Sequence, residues 1–420
     1  MNKTKIIATI GPACESQKKL LEMMQAGMNL CRLNFSHGDY AWHRKAIENI
    51  RKAEKIFGKK IGIMADIQGP RIRVANKKPI DAKKGDRIFI TDEKSPANHR
   101  YGKELVLDWD GFYFHVQRGD RILIEDGTID LEVIKKDKHG CVAVVLTGGK
   151  IKENKGVNIP AISRHLGFLT DKDLADLEFV AGKEIDFVAA SFVRSGRDIV
   201  HLRRIIESFL EKEKRKKDAH FKREMPWIIS KIERKKAVRN IESIVEQSDG
   251  IMVARGDLAI EVSQEKLAII QKDLIRKCLK SAKPVIVATQ IMASMVENNR
   301  PTRAEISDIS NAVIDQADAV MFSNETAVGK NPLGVVETAQ RIIKQTEKSP
   351  YNDVKLRLVN VFAKLLFRQK KKKQGRKVIK AGSLADSLQF SSLRQEDVRI
   401  SLGFNNVLDK RKASLIWGVE

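Results

Sequence analysis

Eight short apolar runs, most of them separated by segments of helical periodicity, constrain this chain more than any other feature. The runs fall at residues 5–10, 29–33, 60–65, 187–190, 227–232, 251–254, 284–288 and 319–322. Helical patterns lie between them, among them 20–26, 43–55, 198–211, 263–281 and 303–316. Short runs that are apolar throughout read as strands covered on both faces, which is how parallel sheets are buried beneath helices. Eight strands alternating with helices predict an α/β fold of the (β/α)8 or TIM-barrel type, although an open doubly wound sheet gives a similar string.

One connection is far too long for a barrel loop. From 74 to 157 the period changes to short strands at 86–90, 121–124, 129–133 and 141–146, punctuated by Gly85-Asp86, Asp126-Gly127 and Gly148-Gly149. A small β domain inserted after the third strand fits this pattern, and on the rim of the barrel it would act as a lid. Beyond residue 350 comes a shorter α/β stretch, with a helical pattern at 359–367, strands at 377–380 and 398–402, and a last apolar run at 413–419. The expected organisation is therefore a barrel from 1–73 and 158–346, a β lid domain from 74–157, and an incomplete, truncated α/β C-terminal domain from 350–420. The last apolar run is expected to lack cover and to leave apolar surface exposed.

At 420 residues with 42% hydrophobic content the chain has ample core for this plan. No leader segment precedes the first strand, and no apolar run approaches the roughly 20 residues needed to span a bilayer, so a cytoplasmic enzyme with no membrane partner is expected. Cys14, Cys31, Cys141 and Cys278 are far apart in sequence and read as buried, idle thiols. The formal charge of +24 favours polyanionic partners in general. The mixed-sign run 211–217 reads as a solvated helix end. The purer run Lys370 to Lys373, with Arg376 and Lys377, could touch nucleic acid, but it lacks an aromatic platform, and nucleic acid is not an expected partner.

Polar groups stand at the ends of the apolar runs. Arg32, Asn34 and Ser36 follow the second, Asp66 the third, Ser191 the fourth, Lys231 and Glu233 the fifth, Asp257 the sixth, Thr289 the seventh, and Ser323 and Glu325 the eighth. Any one of these is explained by a chain leaving its core. Seven strands doing so together, with a lysine among carboxylates, point instead to one reactive rim. Glu233 and Asp257 could each give one carboxylate to a divalent cation, the way Mg2+ is usually held. The amides of Gly256 and Asp257, opening a helical pattern, could receive a carboxylate or phosphate. Lys231 and Arg32 supply fixed positive charge for a phosphoryl group. There is no Walker-type glycine loop. Phosphoryl transfer and metal-assisted enolate chemistry, an aldolase included, both remain open from the residues alone.

The blocks around these residues resemble those of one family, pyruvate kinase. They are 4–12 (Thr-Lys-Ile-Ile-Ala-Thr-Ile-Gly-Pro), 27–38, 66–73 (Asp-Ile-Gln-Gly-Pro-Arg-Ile-Arg), 155–160, 230–233 (Ser-Lys-Ile-Glu), 249–258, 288–290, 301–305 and 323–327, in order. The resemblance implies transfer of the phosphoryl group of phosphoenolpyruvate to ADP, giving pyruvate and ATP, the last step of glycolysis. Under it Glu233 and Asp257 are the Mg2+ ligands, with Mn2+ as a substitute, and Lys231 stabilises the phosphoryl group in flight. Arg32 and Arg73 contact phosphates, and Thr289 with the amides of Gly256 and Asp257 holds the substrate carboxylate. Thr289 and Ser323 bear on the enolate proton step. Lys155 reaches the nucleotide, with Asn34 and His37 nearby. A monovalent cation site falls on Asn34, Ser36, Asp66 and the carbonyl of Ile67. Arg71 stands where K+-dependent members carry an acidic residue, so its guanidinium is expected to replace K+. Residues 381–385, 392–394 and 412–420 faintly resemble the first half of the family's C-terminal domain, which in the family binds effectors and builds a homo-oligomeric tetramer. The competing readings are a member with lost activity and a binding or structural role, and a second role in nucleic-acid binding.

Overall fold

The computed structural model of the chain describes residues 3–95, 102–125, 127–165, 167–216, 224–352, 377–381 and 398–402, with Lys412 and Leu415. Two compact units are distinct within it. One comprises 1–68, 171–255 and 265–420, and the other 69–170 with 256–264.

The first unit is a closed barrel. Its strands are β1 (Lys5–Thr9), β2 (Leu30–Asn34), β3 (Gly62–Asp66), β13 (Phe187–Ala190), β14 (Trp227–Ile232), β15 (Gly250–Ala254), β16 (Val285–Ala288) and β17 (Ala319–Phe322). β4 to β12 belong to the other unit. The order around the barrel is β1-β17-β16-β15-β14-β13-β3-β2, and the neighbours are parallel, including the closing pair β1 and β17. β1, β3, β13, β15, β16 and β17 are buried at every residue, which is why their sequences are apolar runs rather than alternations. The eight-strand expectation holds, with ends displaced by one or two residues.

Helices α1 (Gln17–Ala26), α2 (Tyr40–Phe57), α3 (Asp171–Ala181), α4 (Gly196–Lys216), α5 (Lys235–Arg239), α6 (Ile241–Gln247), α7 (Arg255–Glu261), α8 (Gln264–Lys280), α9 (Arg303–Ile314), α10 (Asn324–Ala327) and α11 (Pro332–Glu347) complete the alternation. Their ends carry recognisable signals. Ser16 and Asp39 accept the amides of Lys19 and Trp42, and Thr302 and Glu305 form a reciprocal capping box. Gly27 ends α1 at φ 119°, a conformation costly for any residue with a Cβ. The mixed-charge run after Phe209 continues α4, whose last turns pair Lys212 with Glu178 and Lys216 with Glu213. All four cysteines are free and buried, and burial pushes the Cys14 thiol up to about 11.

The second unit holds β4 (Ile72–Arg73), β5 (Ile80–Ala82), β6 (Arg87–Asp92), β7 (Glu104–Leu107), β8 (Arg121–Ile124), β9 (Ile129–Asp137), β10 (Gly140–Thr147), β11 (Gly149–Ile151) and β12 (Gly156–Asn158). Seven of them form a sheet in the order β4-β12-β8-β9-β10-β6-β7, and β11 pairs with β5. An isolated antiparallel bridge pairs Val74, just after β4, with Leu107 of β7. Its interior includes Ile88, Phe112, Ile122, Leu131 and Val145. β6, β8, β9 and β10 were visible as sequence runs, and the four-residue β7 was missed. The two- and three-residue strands carry too few residues to show a period.

Past residue 352 the described backbone contains β18 (Lys377–Ala381) and β19 (Val398–Leu402), paired in parallel and matching two expected strands. The helical pattern at 359–367 and the basic run 370–376 lie outside the described residues. The expectation of an uncovered terminal run needs correction at its one described position. Leu415 is fully buried and joins the barrel interior of Ile7, Leu30, Phe187, Ile229 and Met252, with Trp227 packed against the same cluster. Beside it, Lys412 Nζ donates to the Met225 carbonyl at 3.0 Å and lies 5.9 Å from the Trp227 ring centre. The apolar Leu415 side chain gains more from the barrel interior beside Trp227 than from water, and that explains its seat. Leu415→Ala should lower the unfolding free energy by about 3 kcal/mol through lost burial and a residual cavity. Urea denaturation followed by tryptophan fluorescence measures it, and a loss below about 0.5 kcal/mol would contradict this packing.

Candidate active site

In a closed parallel barrel every strand delivers its C-terminal residues to the same rim. At β2, β3, β13 and β14 of this chain that rim carries buried charge. Arg32, Asp66, Ser191, Lys231 and Glu233 occupy it, and Arg32, Asp66, Ser191 and Glu233 are each 8% exposed or less. Parallel register sets Asn34 beside Asp66 and Ala189 beside Asp66, which brings the second, third and fourth strand ends together.

Lys231 is the centre of the group. Its Nζ lies 2.9 Å from Glu233 Oε1 and 3.1 Å from Asp66 Oδ1, and it donates to Ser191 Oγ at 2.8 Å. Arg32 takes the other side of Asp66, with Nε donating to Oδ2 at 2.7 Å and Nη1 to Thr9 Oγ1 at 2.9 Å. Glu233 Oε2 accepts the Phe192 amide at 2.6 Å, and Ser191 Oγ donates to the Ile67 carbonyl at 2.6 Å. Burial favours the neutral form of Asp66, but the charges of Lys231 and Arg32 outweigh it and hold the carboxyl below its usual range. Burial likewise works against the Lys231 ammonium, and Asp66 with Glu233 outweighs it and holds the amine above its usual range. Asp66 and Lys231 each hold the other in its charged form.

Thr289 and Ser323 follow β16 and β17, two and three strands round from β14. Thr289 has φ 68° and Gln290 φ 53°, left-handed backbone that a β-branched residue adopts only under constraint. The constraint is Arg255, whose Nη2 and Nε donate to the Thr289 carbonyl at 2.7 and 3.2 Å while Nη1 is held by Asp308 at 2.7 Å. The Ser323 amide donates to Glu325 Oε2 at 2.6 Å. On the turn after β2, Asn34 Oδ1 accepts the Ser36 amide at 3.2 Å and the His37 amide donates to the Asn34 carbonyl at 3.1 Å.

The remaining candidates lie in the second unit. Arg71 Nη2 is 3.4 Å from Asp257 Oδ1, and Asp257 with Gly256 stands in the first turn of α7. Gly156 lets the Arg71 side chain pass, since a Cβ there would sit 2.5 Å from its Nε. Arg73 Nη1 donates to the Asn154 carbonyl at 2.9 Å, and Lys155 pairs with Glu125. Of the predicted site residues, then, Arg32, Asp66, Lys231 and Glu233 meet in one cluster, and Arg71 meets Asp257 in another.

Two participants, Thr9 and Arg255, lie inside the blocks at 4–12 and 249–258 but were not singled out from the sequence. Ser191 was visible only as a polar strand end, and its bridging of Lys231 and Ile67 is a tertiary fact.

Among the described residues no group of three or more His, Cys, Asp or Glu side chains could hold a metal ion. Mg2+ nonetheless fits Glu233, because it is commonly held by one or two carboxylates, with substrate and water oxygens filling the other positions. The oxygens of Glu233, Asp66 and Ser191 already converge on a cation, the Lys231 ammonium.

Because the folded carboxyl of Asp66 titrates below its unfolded value, its contribution to stability is present above the ordinary aspartate range, about pH 4, and is lost as pH falls through the lower folded value. Urea midpoints taken from pH 7 to pH 3 should therefore drop in the unaltered chain. Asp66→Asn should start lower and show a shallower acid limb, and identical limbs would contradict the charge assignment.

Comparison with known proteins bears on the same residues. The family model "Pyruvate kinase, barrel domain" matches residues 1–336. The pyruvate kinase of Bacillus licheniformis is 43% identical over 353 residues, covering 83% of this chain and 58% of that one. That of Geobacillus stearothermophilus is 44% identical over 352 residues, covering 83% and 57%. For Clostridium perfringens the figures are 40% over 363 residues, 85% and 73%. The chain thus spans less than two thirds of the length of the first two relatives. With a closed eight-stranded barrel, a β unit after its third strand and these matches, the chain belongs to the pyruvate kinase family.

Proposed function

We propose that this chain is a phosphotransferase that moves the phosphoryl group of phosphoenolpyruvate to ADP, giving pyruvate and ATP. The observation that carries the reading is the buried Lys231 ammonium, fixed between Asp66 and Glu233 with the Arg32 guanidinium on the far side of Asp66. Two cations held in a low-dielectric rim are already oriented when charge moves onto phosphoryl oxygens, so no reorganisation is needed at that moment.

In this reading the bond between the enol oxygen and phosphorus breaks, and a bond forms between phosphorus and a terminal β-phosphate oxygen of ADP. Lys231 and Arg32 neutralise the equatorial oxygens of the group in transfer. The enolate left behind takes a proton at its terminal carbon. Thr289 and Ser323 are assigned to that step, and Thr289 with the Gly256 and Asp257 amides to the substrate carboxylate. The strain at Thr289 supports its assignment, since such conformations concentrate at functional sites. Asn34, His37, Arg73 and Lys155 are assigned to the nucleotide.

Mg2+ is assigned to Glu233, with Asp257 as its second ligand on the strength of the Gly-Asp motif alone; when bound it would neutralise charge on substrate oxygens and fix their geometry. Glu233 would hold the metal, and Lys231 beside it would meet the phosphoryl oxygens. Two of the groups assigned to a monovalent cation are engaged within the protein: Asp66 by Arg32 and Lys231, and the Ile67 carbonyl by Ser191. That supports turnover without K+, with fixed cations and Arg71 in its place.

ATP formation from phosphoenolpyruvate and ADP should depend on Mg2+. Lys231→Met and Glu233→Gln should each reduce kcat by roughly a thousandfold or more, as a coupled assay would show. Full-rate turnover in either variant, or none in the unaltered chain, would sink the reading. Replacing K+ by tetramethylammonium should leave most of the rate intact, and a fall of more than about tenfold in kcat/KM would refute the K+-independent site.

A further inference from the structure

His43, in the first turns of α2, is buried to 1% exposure in a position the proposed chemistry does not use. Its ring lies flat on Phe35, with centroids 4.0 Å apart and planes within 3°, while Trp42 meets it edge-on at 5.0 Å. Nε2 is 3.0 Å from the carbonyl oxygen of His37. A carbonyl can only accept, so Nε2 carries the proton. Nδ1 is buried with no hydrogen-bond partner, a cost that phenylalanine at this place would not incur.

What this expense secures is the turn after β2. Phe35 and His37, the two residues His43 grips, alternate with Ser36 and follow Asn34. The same turn is held from α3, where Lys172 Nζ donates to the Phe35 carbonyl at 2.7 Å and to Asp176 Oδ2 at 2.7 Å. Tyr40 donates to Asp176 Oδ1 at 2.9 Å and stacks on Phe179, 4.9 Å away. Gly38 closes the turn at φ 76°, and a Cβ there would come within 3.1 Å of the Trp42 ring. Each of these external supports fixes backbone or the Phe35 ring.

We propose that His43 is a positioning residue for nucleotide binding: its stack on Phe35 and its bond to the His37 carbonyl hold the turn that carries Asn34, Ser36 and His37 in the shape that receives ADP. This rests on the phosphotransferase reading above. The charged groups facing the ring are Asp39 at the helix cap and Lys172 on α3. Burial, the largest influence, pushes the imidazole down to about 4, and the nearby Lys172 charge reinforces it against the pull of the His37 carbonyl and Asp39. The neutral ring, the form that stacks flat and donates once, therefore persists at every pH where the enzyme would work.

The test uses the full chain and two variants. His43→Phe keeps the stack and removes the hydrogen bond. His43→Gln keeps a donor within reach of the His37 carbonyl and removes the ring. ADP affinity by titration calorimetry should weaken about tenfold in His43→Phe, the order expected when one hydrogen bond that shapes a site is lost. The Gln variant should recover part of it. KM for ADP should rise in parallel, with kcat and KM for phosphoenolpyruvate within about twofold of the unaltered enzyme. Nitrogen-15 spectra should show His43 as the Nε2–H tautomer, neutral down to about pH 4. Unchanged ADP affinity in both variants overturns the proposal while leaving the phosphotransferase reading intact. So does a uniform fall in kcat, both KM-based efficiencies and thermal midpoint, which marks a packing role only, or a His43 that titrates near pH 6.5. Failure of the unaltered chain to bind ADP overturns both.

Discussion

The rim of this barrel depends on one arrangement: two cations and two carboxylates taken out of water together. An ion moved alone into a protein interior costs about several kcal/mol even after relaxation, so none of Arg32, Asp66, Lys231 or Glu233 could be buried by itself. Their positions are linked because their charges are. Asp66 stands between Arg32 and Lys231, Lys231 between Asp66 and Glu233, and the free oxygen of Glu233 is satisfied by the Phe192 amide. The set is neutral as a whole, and it draws on β2, β3 and β14, with Phe192 after β13 supplying the amide between them. A closed barrel in correct register is what brings those strand ends to one height, and the packing below the rim serves that requirement.

Much of this could be read from the sequence, for reasons specific to particular segments. Runs such as 187–190 and 319–322 are apolar at every position because both faces are covered, and that signal survives without any knowledge of neighbours. Lys231 and Glu233 stood out because charged residues at the end of such a run need an explanation. The resemblance to pyruvate kinases then gave them separate roles that spacing alone had left open between phosphoryl transfer and enolate chemistry. What could not be read was partnership. Thr9 and Arg255 make their contacts with residues tens to hundreds of positions away, as does Ser191, which the sequence showed only as a polar strand end. The short strands β4, β5, β11 and β12 were invisible for a different reason, being too brief to establish a period.

Strain marks the same rim. Phe192 and Thr289, each just past the end of a barrel strand, hold φ of 55° and 68°, where bulky and β-branched side chains are disfavoured. Both are tied down by charge: the Phe192 amide by Glu233, the Thr289 carbonyl by Arg255. Charged side chains at this rim thus hold backbone in shapes that the residues would not choose.

Leu415 gives the barrel a history as well as a shape. β17 ends at Phe322, so every barrel strand has been synthesised well before the side chain that fills the interior beside Trp227. During translation at about 5–20 residues per second, the intervening roughly 90 residues take about 5–20 s to emerge. For that interval the strands can pair while one end of their shared interior still meets water. A nascent chain of this protein thus carries all eight barrel strands before it carries the side chain of Leu415 that their interior receives.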